Sequence, residues 1–401
     1  MKSVRVAHLV LILICVFGCA ARDAVGQQTS PAANQRQNAI ALEQQGRNSE
    51  AEAAWQAVAA AEPNSAEAYA HLGFLEAKQE HYTQAIPHYR KALALDSAMP
   101  GLKMNLGLAL FKAGELRDAV RIFNGLLKGQ PASSPESQRL KILIGMADYG
   151  LEDYSAAIPL LKQATVDDPQ NLPFRLILAH SCLAAKQYQC VLDVYHEILN
   201  LNAESAEADM LAGEALDEMQ DHAGAIQQFR AAVKANPKEP NVHFGLGYLL
   251  WTQLHYAEAV EQFQAELANV PDHVQALVYL ADSQIKLNHN ELALPLLSKA
   301  VRLDADEELA HLDLGIVYAE MNRQSDAMRE LKLAEKLNPG DVAVHWRLAR
   351  LYRTMGRRAE AETEFAKVKT LNKTADESVA HKLKASRVQN AGNGTSSSTS
   401  N

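Results

Sequence analysis

Small, large apolar and polar residues return along this chain with a 34-residue period, and within each period they follow two helical schedules. Gly73 and Gly107 lie 34 residues apart, as do Gly213 and Gly247, and Gly315 follows Gly247 by twice that step. The step tiles residues 32–375 as ten units: 32–65, 66–99, 100–133, 138–171, 172–205, 206–239, 240–273, 274–307, 308–341 and 342–375. Four extra residues near Ser134–Ser137 are the one interruption. Place 8 of every unit is Gly or Ala, and place 20 is Ala in nine of ten, with Val191 the exception. Place 24 is aromatic or Leu throughout, as at Trp55, Tyr89, Phe123, Phe229, Phe263 and Phe365. Places 4, 7, 8 and 11 share one helix face, and places 20, 24 and 27 share another. Small residues at places 8 and 20 let two backbones approach, and the large residue at 24 fills the space beside them. Near place 15, Gly46, Gly114, Asn288, Asn322 and Gly356 interrupt the helix. Pro at place 32 in six units, such as Pro237 and Pro271, cannot continue the second helix. The pattern predicts ten helical hairpins, each burying its faces by stacking on its neighbours.

This resembles the tetratricopeptide repeat family, whose helix–turn–helix pattern is W-x2-L-G-x2-Y…A-x3-F…P over 34 residues. Leu72-Gly73, Leu106-Gly107, Leu246-Gly247 and Leu314-Gly315 match its Leu-Gly pair, and Tyr318 and Tyr352 stand at its Tyr place. The first unit departs with Asn38-Ala39, and the fifth lacks both the Gly and the place-20 Ala. The resemblance implies an all-α fold, a right-handed superhelical solenoid of about ten hairpins. It also implies a protein or peptide partner on the concave surface lined by each unit's first helix.

Places 2, 5, 9 and 12 form the stripe opposite the buried one. In the seventh unit they hold Asn241, Phe244, Tyr248 and Trp251, and the last three are large aromatics that a solvated face has no reason to carry. The sixth unit presents Met210, Glu214 and Asp217 with Glu218 alongside, and the eighth adds Asp282. Glu214, Tyr248 and Asp282 are each 34 residues apart, so an aromatic platform flanked by carboxylates is expected. It suits a peptide with apolar and basic side chains. A second patch pairs Met104, Leu108 and Phe111 with Ile142, Met146 and Tyr149, an adaptable apolar surface. The tenth unit differs, with Trp346, Arg350 and Arg353 giving a basic end. The competing reading has all these residues packing against the adjacent hairpin.

The ends of the chain follow other rules. Lys2 and Arg5 precede an apolar run from Val6 to Phe17 and then small residues, the layout of a signal peptide over 1–21. Two cleavage readings compete: a lipoprotein signal that makes Cys19 the acylated first residue, or cutting after Ala21 or Gly26 to release a soluble protein. Both place the protein outside the cytoplasm, in the periplasm or anchored to the outer membrane of a bacterial cell envelope. Membrane contact is expected only through such a lipid anchor. Residues 22–31 are a spacer, 376–390 hold a candidate capping helix, and 391–401 are too small and polar to fold.

Composition narrows the function. A formal net charge of −9 argues against nucleic acid, whose phosphates need clustered Lys and Arg. There is no phosphate loop, no Gly-x-Ser-x-Gly elbow and no His-Glu-x-x-His. His243, His311 and His345 share place 4, where a half-buried His in place of an aromatic is the simpler reading than a metal ladder. Cys182 and Cys190 flank the turn of the fifth unit, either as a disulfide or as two small core residues. No enzyme activity, cofactor or metal is expected. The leading expectation is an interaction scaffold; the alternative is an accessory or specificity subunit of an envelope enzyme or assembly complex.

Overall fold

The computed structural model describes residues 31–201 and 204–374, and these residues are helical hairpins with no strand among them. The helices are α1 (Pro31–Gln44), α2 (Asn48–Ala61), α3 (Ala66–Lys78), α4 (Tyr82–Leu95), α5 (Leu102–Lys112), α6 (Leu116–Leu127) and α7 (Pro135–Gly150). They continue as α8 (Tyr154–Asp167), α9 (Leu172–Ala184), α10 (Tyr188–Asn200), α11 (Ala206–Glu218), α12 (His222–Ala235), α13 (Val242–Thr252) and α14 (Tyr256–Asn269). The series ends with α15 (Val274–Lys286), α16 (Asn290–Leu303), α17 (Glu308–Glu320), α18 (Gln324–Leu337), α19 (Val342–Thr354) and α20 (358–374). The chain divides into two units between Met219 and Gln220, inside the sixth repeat. The signal 1–21, Cys19, the candidate capping helix 376–390 and the tail 391–401 lie outside the described residues.

Close approach of the two helices explains the place-8 rule. A Cβ on Gly73 would stand 2.7 Å from the Tyr89 ring, one on Gly107 2.6 Å from Phe123, and one on Gly247 2.8 Å from Phe263. In each case the partner is the place-24 residue of the same hairpin, so the large ring occupies the volume the missing methyl leaves. These rings are fully buried: Tyr89, Phe123 and Phe263 have no exposed surface. In the ninth repeat the place is held by Leu331, 2.5 Å from a Gly315 Cβ.

In the first unit, one core gathers around Tyr89, Phe123 and Leu140, and another around Leu161, Val191 and Ile198. The second core includes Cys182 and Cys190, which are joined as a disulfide with their Cα atoms 5.8 Å apart. In the second unit, cores form around Leu297 and Val317 and around Leu331 and Leu348. There the place-4 histidines close their own hairpins. His243 Nδ1 lies 2.8 Å from Gln262 Oε1, His311 Nδ1 2.8 Å from Glu330 Oε2, and His345 Nδ1 2.7 Å from Glu364 Oε2. The Nε2 atoms of His311 and His345 face the carbonyls of Ala305 and Pro339. Each of these two rings thus has a polar partner at both nitrogens. Glu335 also approaches His345, and the three side chains have the proximity of a metal cluster. Lys367 holds both Glu335 and Glu364, and Lys332 holds Glu335, so these charges are already balanced internally.

Every turn between paired helices has a left-handed residue at place 15. Gly46, Gly114 and Gly356 adopt it freely, and Asn288 and Asn322 tolerate it. Glu80, Glu152, Lys186, Gln220 and Leu254 adopt it too, with φ from 58° to 67°, although nothing in their side chains favours it. The turn itself is fixed by the backbone, as where His255 N–H donates to Leu250 O at 2.8 Å. Leu254 is 68% exposed, so replacing it removes little packing. Leu254→Gly is therefore expected to stabilise the second unit by roughly 0.5–1 kcal/mol, the left-handed cost less the added flexibility of the unfolded chain. Denaturant titration of the purified variant checks this; a destabilised variant would show that Leu254 packs more than its exposure indicates.

Candidate functional site

The aromatic residues of the seventh repeat come together on α13. Places 5, 9 and 12 are spaced by four and three residues, so Phe244, Tyr248 and Trp251 share one face of the helix. Tyr248 and Trp251 stack with centroids 6.0 Å apart at 21°, and Phe244 lies 6.3 Å from Tyr248. A fourth ring closes the cluster. Tyr279 of α15 stands edge-on to Trp251 at 5.0 Å and to Tyr248 at 5.3 Å. Phe244 also stacks on His273 at 4.9 Å. His273 is itself fixed: its Nδ1 accepts from Ala276 N–H to cap α15, and its Nε2 faces Asn241 Oδ1 at 3.0 Å. Tyr248 alone of these rings is a large exposed surface, at 38%.

Trp251 and Asp282 are tied to each other. The indole Nε1 donates to Asp282 Oδ2 at 2.6 Å, and Lys286 Nζ lies 3.5 Å from Oδ1. Asp282 is 3% exposed, so it is an internal anchor for Trp251 and not the displayed carboxylate the 34-residue spacing suggests. The reason is its place between α13 and α17, both of which pack against α15.

Place 6, beside the predicted stripe, carries further functional candidates: Tyr279, Asp313 and Arg347. Asp313 on α17 is 1% exposed, and its Oδ2 has no hydrogen-bond partner among the described residues. Burial, reinforced by the nearby charge of Asp282, holds its carboxyl well above the usual range. Burial first, then the neighbouring Tyr248, Glu307, Asp282 and Asp313, push the Tyr279 hydroxyl up to about 12. Arg347 is lowered, chiefly by burial and then by the like charge of Arg350. An acid inside the otherwise apolar run Leu312–Tyr318 was the available sequence signal for Asp313.

The remaining predicted residues lie in the first unit. Met104 and Phe111 are half-buried and pack against the core around Phe123. Leu108 is 5% exposed and belongs to that core, which corrects its expected display: it is packed among the apolar side chains that gather around Phe123 and Leu140. Ile142, Met146 and Tyr149 are half-buried, with Tyr149 edge-on to Tyr154 at 6.0 Å. On α11, Glu214 and Glu218 are exposed and Asp217 is half-buried. Glu218 accepts from the Tyr188 hydroxyl at 3.1 Å.

Tetratricopeptide repeat models match residues 36–100, 192–240, 244–310 and 280–342, with two further models of the same repeat matching 76–142 and 342–374. The chain belongs to the tetratricopeptide repeat family. Its curated relatives include BBSome complex member BBS4 of Bos taurus, 26% identical over 204 residues, covering 50% of this chain and 38% of that protein. Another is Tetratricopeptide repeat protein 21B of Mus musculus, 25% identical over 229 residues, covering 54% of this chain and 16% of that protein. The chain therefore spans less than half the length of these relatives. Among solved structures, YrrB, described as a tetratricopeptide repeat protein with an unusual peptide-binding site, is 18% identical. The match covers 47% of this chain and 97% of YrrB at a TM-score of 0.39. Pseudomonas aeruginosa pilF is 16% identical, with 49% and 90% of the two chains covered at a TM-score of 0.44.

Within this tetratricopeptide repeat array, acids also meet at the start of α17. Burial, then the charge and hydrogen bond of Asp341, push the Glu308 carboxyl from 4.5 up to about 7. Between those values the folded chain keeps a proton that the unfolded chain has released. Stability therefore falls as pH rises through this window, and Asp313 acts in the same direction. Glu308 is half-buried, which discounts its effect to about 1 kcal/mol. Thermal melts should show the transition falling as pH is raised from about 4.5 to 7. Glu308→Gln should flatten that fall by roughly 2–4 °C; an unchanged slope would contradict the shift.

Proposed function

We propose that this chain is a non-enzymatic scaffold that binds a protein or peptide segment on the face lined by the first helices of its second unit. The observation that carries the reading is the aromatic cluster on α13 and α15. Its rings are braced from behind by Asp282 and His273, while Tyr248 keeps 38% of its surface open. A braced ring loses little freedom when a ligand settles on it, and aromatic surfaces accept both apolar and cationic side chains. Membership in the tetratricopeptide repeat family supports the interaction role. The expected signal over residues 1–21 motivates the location: the scaffold works in a bacterial cell envelope, free or anchored through Cys19. Among the described residues no helix is long and apolar enough to cross a membrane.

The most informative single change is Tyr248→Ala, because Trp251 also supports Asp282 and its loss would confound binding with stability. Removing the ring should weaken partner binding by about 0.5–1.5 kcal/mol, roughly three- to tenfold. Crosslinking pull-down of the exported protein should show that loss with the thermal transition near wild type. Undiminished recovery of the same partners by the variant would refute the assignment of this face.

A further inference from the structure

The first-helix face of the second unit does not end at the aromatic cluster. α15 packs against α17, and α17 against α19, so the face continues to the tenth repeat. There the chemistry reverses. Arg347, Arg350 and Arg353 follow one another at three-residue spacing on α19, which brings their guanidiniums to one side of the helix. Among the described residues none of the three is within ion-pair distance of a carboxylate. Other arginines of the unit are paired, Arg230 with Glu258, Arg323 and Arg329 with Asp326, and Arg357 with Glu360, while Arg302 and Arg358 stand apart from this group on other helices.

Trp346 stands among these charges, 38% exposed, with Arg350 4.8 Å and Arg347 5.1 Å from its ring. At this exposed ring Arg347 and Arg350 repel each other, a repulsion that Glu320, Asp313 and Asp282 offset at Arg347 alone, and an anionic partner at Arg350 relieves it. At the other end, the open face of the Tyr248 ring, stacked on Trp251, favours a cation.

We propose that this face is electrically asymmetric and selects an extended peptide of matching polarity, with a cationic residue at the α13–α15 end and an anionic residue at α19. This rests on reading the face as a peptide site. From α15 to α19 are two interhelix steps of roughly 9 Å each. An extended chain advances ~3.3 Å per residue, so the opposite charges in the ligand stand about five or six positions apart. Asymmetry of this kind fixes the direction in which the peptide lies as well as its composition.

The test uses two blocked synthetic peptides of identical composition, titrated into the full chain by calorimetry at low and moderate salt. In one, an Arg-Phe pair and a Glu-Glu pair are separated by three neutral residues, which puts the opposite charges five and six positions apart; in the other, the two pairs are adjacent. The spaced peptide should bind about tenfold more tightly, with the advantage shrinking as salt rises. Arg350→Glu with Arg353→Glu should abolish the advantage and restore tight binding to a peptide whose Glu-Glu is replaced by Lys-Lys. Thermal melts of the variant confirm that the fold is kept. Equal binding of both peptides, with Tyr248→Ala weakening both, would overturn the charge asymmetry and leave the aromatic site standing. Binding of neither peptide would overturn both.

Discussion

In the second, third, seventh and ninth hairpins one contact governs the packing, the close approach of glycine at place 8 to a large residue at place 24. The missing methyls of Gly73, Gly107 and Gly247 are the volumes into which Tyr89, Phe123 and Phe263 fit. Burying a ring of this size supplies a large share of a hairpin's apolar stabilisation, on the order of 2–3 kcal/mol. Because the ring lies between backbones, it also sets how the first helix sits on the second. The displayed face follows from that setting: with places 4, 7, 8 and 11 turned inward, places 5, 6, 9 and 12 turn toward the neighbouring first helices.

Different residues on this common frame give the second unit its chemistry. Aromatic side chains at places 5, 9 and 12 of one repeat meet Tyr279 of the next, and Asp282 holds the Trp251 indole from behind. Three repeats after Phe244, Tyr248 and Trp251, the same places carry Trp346, Arg350 and Arg353. The buried acids between them, Asp282 and Asp313, make this part of the array sensitive to charge. The histidine clasps to Glu330 and Glu364 sit on the opposite, inward side and close individual hairpins.

Most of the fold was legible in the sequence because the period repeats its constraints ten times. The turn at place 15 shows the limit. Glycine and asparagine announced it in five repeats, whereas Glu80, Glu152, Lys186, Gln220 and Leu254 adopt the same left-handed backbone because the adjoining helices impose it. The site was only partly legible. Helical spacing placed Phe244, Tyr248 and Trp251 together, but it could not tell display from burial, so Leu108 and Asp282 were expected on the surface and lie inside. Place 6 escaped notice because its side chains matter only through the next repeat, as with Tyr279, Asp313 and Arg347.

A double-mutant cycle on Gly247 and Phe263 tests the governing contact most directly. Gly247→Ala should destabilise by about 1–3 kcal/mol, since the new methyl collides with the ring. Phe263→Leu should destabilise through the lost ring, and the double variant should be more stable than the two losses predict, with a coupling of at least ~1 kcal/mol. Losses that add to within about 0.5 kcal/mol would show that the small and large residues stabilise the hairpin independently, and the account would fail at its base.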